Sequence, residues 1–100
     1  MLSPMNENIN AAQRRARARL SENLKVLRSK QGISQEELAG RAGLHRTYIS
    51  QVEREIVNVS LDNLVVLAGA LGVAVETLLM EPTESATPLK PGRKRSATKK

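Results

Sequence analysis

One hundred residues carry sixteen Lys and Arg against ten Asp and Glu, a net charge of +6, and leave room for one domain plus tails. With no Cys, no apolar run near the roughly 18 residues of a membrane span, and no apolar stretch after the charges of Met1 to Arg19, disulfides, thiolate metal sites, membrane insertion and export are not expected, and the chain reads as soluble and cytoplasmic. The positive charge sits at the two ends: residues 20–80 hold six basic and seven acidic side chains, so any basic face on the globular part must be local.

Residues 1–10 show no periodicity and are expected to be disordered. A helix is expected from residue 11, with Asn10 as its cap and Gln13 returning the bond. From there Ala and Arg, both strong helix formers, lead without a breaker into Leu20, Leu24 and Leu27, an apolar stripe with Val26 beside it. Gly32 ends this first helix, and Ile33 staples the entry to the second.

The second helix opens on a capping box, in which the Ser34 hydroxyl accepts from the Glu37 amide and the Glu37 carboxylate reaches back to the Ser34 amide. Leu38 and Ala42 lie four apart on its inner face, and Gly43, lacking a β-carbon, lets the chain stop and turn sharply. A third helix follows over about Arg46 to Arg54. Its apolar Ile49 and Val52, with Tyr48 alongside, share one stripe, while Arg46, Thr47, Ser50 and Gln51 spread over the remaining surface. Two short helices joined by a three-to-four-residue turn make a helix-turn-helix at about residues 34–54. The exposed heads of its second helix are those that pair with base edges and phosphates in the major groove of DNA. A helical hairpin that merely packs needs no such face, so DNA binding is the favoured reading.

After a loop containing Asn58, Ser60-Leu61-Asp62-Asn63 starts a fourth helix that is apolar almost all round and stops at Gly72. Val73 to Met80 is read as a short fifth helix. With one Tyr and no Phe or Trp, the core is aliphatic and small, so a dimer that buries helices 4 and 5 over residues 60–80 is expected, with Leu64, Leu67, Leu71, Val75, Leu78 and Leu79 at its face. The domain thus spans residues 11–80. Residues 81–100, with Pro82, Pro88, Pro91 and the run Arg93-Lys94-Arg95, have almost nothing to bury and are expected to be a flexible basic tail. Such a tail could add phosphate contacts, bind a partner or only aid solubility; nonspecific phosphate contact is favoured.

Ser34-Gln35-Glu36-Glu37-Leu38-Ala39, then Ala42-Gly43-Leu44, then Tyr48-Ile49-Ser50-Gln51-Val52-Glu53 resembles the Cro/C1-type (Xre) family of bacterial DNA-binding domains over about residues 20–80. Leu44 to Ser50 and Asn58 to Leu64 look most like the controller proteins of restriction–modification systems. The resemblance implies an all-α fold, a compact five-helix, lambda-repressor-like DNA-binding domain. It places Arg46, Thr47, Ser50 and Gln51 toward the bases and Gln35, Tyr48 and Asn58 on phosphates. It also implies a partly buried ion pair between Arg28 and Glu53, a structural role rather than a catalytic one. The sequence departs from the family twice. His45 occupies the cap of helix 3, where a small hydroxyl or carboxylate residue is usual. Glu55 stands where Gly or Asn commonly ends that helix, so either the helix runs on into Ile56 or Glu55 adopts a strained turn.

The function implied is a transcriptional regulator that binds a palindromic operator as a homodimer, controls a neighbouring gene and regulates itself, with RNA polymerase or another protein as a further partner. A phage-like repressor is a close alternative. A different one is an antitoxin or adaptor whose tail binds a protein and whose DNA binding is secondary. No cofactor is expected. His45 has no second His, Cys or acidic cluster beside it for a metal, and no nucleophile–base pair suggests an enzyme.

Overall fold

The computed structural model describes residues 3–83, with side chains from Asn10 onward. Four α-helices run in order: α1 Ser3–Gln31, α2 Gln35–Ala42, α3 Arg46–Glu53 and α4 Leu61–Leu71. A 3-10 helix, Val75–Leu79, follows, and there is no strand among the described residues. The tail expected over 81–100 falls, from residue 84 on, outside the described residues.

Helix α1 departs from expectation at its start. It begins at Ser3, not after Asn10, so most of the segment expected to be disordered is helical backbone. Pro4 does not interrupt it: in a first turn the missing N–H has no intrahelical partner to lose, and the fixed φ suits the helix. No glycine or further proline follows until Gly32. The helix is therefore about 43 Å long at 1.5 Å per residue.

Local signals set the other boundaries. Ser34 Oγ accepts from the Glu37 amide at 2.9 Å, but the return half of the capping box is absent. The Glu37 carboxylate instead accepts from Arg41 Nη2, one turn on, at 3.2 Å. Ser60 Oγ accepts from the Asn63 amide at 3.0 Å and so caps α4. Gly43 takes φ 70° in the tight turn between α2 and α3, where its amide and that of Leu44 close back onto the Gly40 and Ala39 carbonyls. The expected fifth helix is a 3-10 turn. Five residues are too few to nucleate an α-helix, and the Asn23 amide of α1 donates to the carbonyls of both Leu78 and Met80 at 2.9 Å, holding the end in place.

The core joins Leu20 and Leu24 of α1, Ile33, Leu38 and Ala39 of α2, Ile49 and Val52 of α3, Leu64, Leu67, Ala68 and Leu71 of α4, and Leu78. This corrects the expected dimer face. Leu64, Leu67, Leu71 and Leu78 fill the chain's own core, Val75 is half-buried against it, and only Leu79 of that set remains exposed. A helix apolar all round offers no period from which to choose the buried stripe. The structure selects 64, 67, 68 and 71 as that stripe and leaves Leu61 (70% exposed), Val65 (50%), Val66 (38%) and, beyond α4, Met80 (53%) to solvent.

Candidate nucleic-acid interface

On α3 the apolar and polar faces separate as the spacing requires. Ile49 and Val52 are buried, whereas Arg46 and Thr47 are exposed and Ser50 and Gln51 half-exposed on the other side. His45 makes no side-chain cap bond, which leaves the first amides of α3 open. At the other end the alternative left by Glu55 is resolved: it adopts φ 65°, its amide donates to the Val52 carbonyl at 3.0 Å and the Ile56 amide to Gln51 at 3.1 Å. This is the closure normally made with glycine, here at a steric cost of about 1–2 kcal/mol for a residue with a β-carbon. The helix stops, and the chain turns into the loop that carries Asn58.

The end of α3 is fastened to α1 and α2 by a buried polar network. Arg28 grips Glu53 with two bonds, Nε to Oε2 at 2.7 Å and Nη2 to Oε1 at 2.9 Å, and sends Nη1 to the Ile33 carbonyl at 3.0 Å. The Glu53 side chain is 5% exposed and that of Arg28 15%. A bidentate guanidinium–carboxylate pair is directional, and placing a third N–H on a backbone carbonyl lowers the cost of burying the guanidinium. Two further donors complete the site: Gln35 Nε2 reaches Glu53 Oε1 at 3.0 Å, and the buried Ser21 hydroxyl donates to the Glu53 carbonyl at 2.6 Å. Neither link was expected from the sequence. For Ser21 a signal existed: it is a hydroxyl inside the Leu20–Leu24 stripe, seven residues before Arg28 and so on the same helical side.

The three residues expected to anchor phosphate sit around this helix. The Gln35 amide is tied to Glu53 by one N–H, and its second N–H is not used by that bond. The Tyr48 hydroxyl accepts from Asn63 Nδ2 at 3.1 Å, linking α3 to α4 and leaving its own proton to donate. Asn58 is exposed in the loop. Gln35 and Tyr48 thus have an internal positioning role beside any contact with DNA. Among the described residues no group of His, Cys, Asp and Glu is placed to hold a metal ion.

A profile of the helix-turn-helix family matches residues 24–78. The chain belongs to the Cro/C1-type helix-turn-helix family. A hypothetical transcription factor of Neisseria meningitidis serogroup B is 50% identical to this helix-turn-helix chain over 68 residues, which cover 68% of the chain and 64% of the relative. The chain therefore spans less than two thirds of that relative's length. Among solved structures, the restriction–modification controller protein C.AhdI from Aeromonas hydrophila superposes with a TM-score of 0.60 at 42% identity, covering 62% of this chain and 94% of that one. The controller protein C.Esp1396I, solved as a tetramer in complex with its natural 35 base-pair operator, superposes with a TM-score of 0.57 at 29% identity over 65% of this chain and 96% of that one. In this helix-turn-helix chain the matched region takes in Arg28, Gln35 and Glu53 of the network, α2, α3 and all of α4, while Ser21 lies just before it.

Proposed function

We propose that this chain is a sequence-specific DNA-binding transcriptional regulator, that it acts as a homodimer on a twofold-symmetric operator, and that it controls a neighbouring gene together with its own. The observation that carries the reading is the outward face of α3, where Arg46, Thr47, Ser50 and Gln51 stand over a buried network that fixes the helix's far end. Arg46 and Gln51 can each form two bonds to a purine, Arg46 to guanine O6 and N7 and Gln51 to adenine. Thr47 and Ser50, being shorter, suit a thymine methyl or a phosphate. The second N–H of Gln35, the Tyr48 proton and Asn58 anchor the flanking phosphates. Association is supported by Leu61, Val65, Val66, Leu79 and Met80, apolar groups that a monomer leaves in water. The controller role draws support from the likeness to restriction–modification controller proteins.

Repeated selection of bound fragments from a random-sequence duplex pool tests this. The expected product is one enriched motif in two inverted copies whose centres lie about one helical turn, roughly 10 base pairs, or a multiple of it apart. A single unpaired half-site would overturn the dimeric mode, and a pool that stays random would overturn sequence-specific binding.

A further inference from the structure

Arg14, Arg15, Arg17 and Arg19 of α1 take no part in the interface described above. No acidic residue lies between Asn10 and Arg19, and among the described residues none of the four arginines forms an ion pair. Ser21 gives their orientation. Its hydroxyl bonds the Glu53 carbonyl, so the Ser21 side of α1 faces the end of α3. Arg17 and Arg14 stand four and seven residues before Ser21 and share that side. Arg15 and Arg19 are each two residues from Arg17, roughly 200° around the helix at 3.6 residues per turn. Arg17, with Gln13, also lines a cavity whose other wall includes Asn58 and Val59, the loop by which the chain leaves α3.

We propose that Arg14 and Arg17 form a second contact surface for the phosphate backbone of the bound duplex, extending the Asn58 anchor along α1. The inference rests on the DNA-binding reading above. The stripe from Ser21 to Arg14 covers about 10 Å of helix, and it adjoins the loop that leaves α3. A guanidinium is the side chain best matched to phosphate, through two parallel N–H donors. Contacts of this kind add affinity without base preference, and their mark is the salt dependence of binding. An acidic protein surface is the competing partner, and it predicts a different outcome.

The test uses the full chain and two probes, the selected operator and a random-sequence duplex, with affinity followed against salt concentration. Gln is nearly as good a helix former as Arg, so Arg14→Gln/Arg17→Gln and Arg15→Gln/Arg19→Gln should keep the circular dichroism of the parent. The first pair is expected to lower the slope of log affinity against log salt by about 3.6 for the bound dimer, or roughly 0.9 for each of the four phosphates, two per protomer, that are no longer neutralised. It should weaken both probes by the same factor and leave the ranking of operator variants unchanged. The second pair removes the same charge and is expected to keep the parent slope. Equal reductions of slope in both pairs would overturn the proposal in favour of a diffuse field. An unchanged slope in the first pair would also overturn it and point to a protein partner. If the parent chain binds neither probe, the regulator reading itself falls; if it binds both and only the slopes fail to separate, this inference falls alone.

Discussion

The half of the domain formed by α1, α2 and α3 and the half formed by α4 with the 3-10 helix are held by different physics. In the first half, the end of α3 is fixed by five directional bonds converging on Glu53 and Arg28. In the second, α4 buries one aliphatic stripe and exposes another, with few polar links to its surroundings. Burial energy is proportional to area and indifferent to small rotations, whereas a bidentate ion pair tolerates little displacement. For the proposed function, a helix that presents four side chains in register needs the second kind of restraint, and a surface that only associates can use the first.

The largest effect should come from breaking the network. Arg28→Ala or Glu53→Ala strands a buried charge and is expected to cost about 3–5 kcal/mol, a large share of the stability of so small a domain. Removing both should cost less than the two single substitutions together, because the double variant leaves neither charge alone. Urea unfolding of the four proteins checks this; additive costs would mean that the pair contributes no mutual stabilisation.

Next comes the aliphatic half. Leu61→Glu places a charge where the side chain is 70% exposed in one chain, so the monomer should stay folded. Across a twofold interface the same change should weaken dimerisation by roughly 2–3 kcal/mol, on the order of a hundredfold. Sedimentation equilibrium reads it directly. Association as tight as that of the parent would move the dimer interface away from α4. Leu67→Glu sharpens the contrast, since its side chain is fully buried in the chain's own core and the substitution should unfold the monomer instead.

These two halves also differ in how far they could be read from sequence. Ser34, Gly43, Ser60 and Gly72 act within a few residues of themselves, and each marks a helix boundary in the structure. The polar row on α3 follows from helical period alone. The Arg28–Glu53 pair follows from family resemblance, but its companions Ser21 and Gln35 lie 32 and 18 residues from Glu53, and no local rule joins residues so far apart. The burial of Leu64, Leu67 and Leu71 was not legible because Leu61, Val65 and Val66 are equally apolar, so only packing against α2 and the 3-10 helix could choose between the stripes. Whether Glu55 continues or ends α3 depended on a closing bond set that propensity disfavours.

Base reading by Arg46 and Gln51 is the role proposed for α3, held by the Glu53 network. It is tested most directly by the affinity of Arg46→Ala for the selected operator, for each single-base variant of it and for random duplex. Arg46→Ala is expected to lose about 1–3 kcal/mol on the operator, to lose discrimination at one base position only, and to bind random DNA nearly as the parent does. An equal loss on every duplex would contradict base reading, reduce α3 to a phosphate anchor and leave specificity to the shape of the DNA.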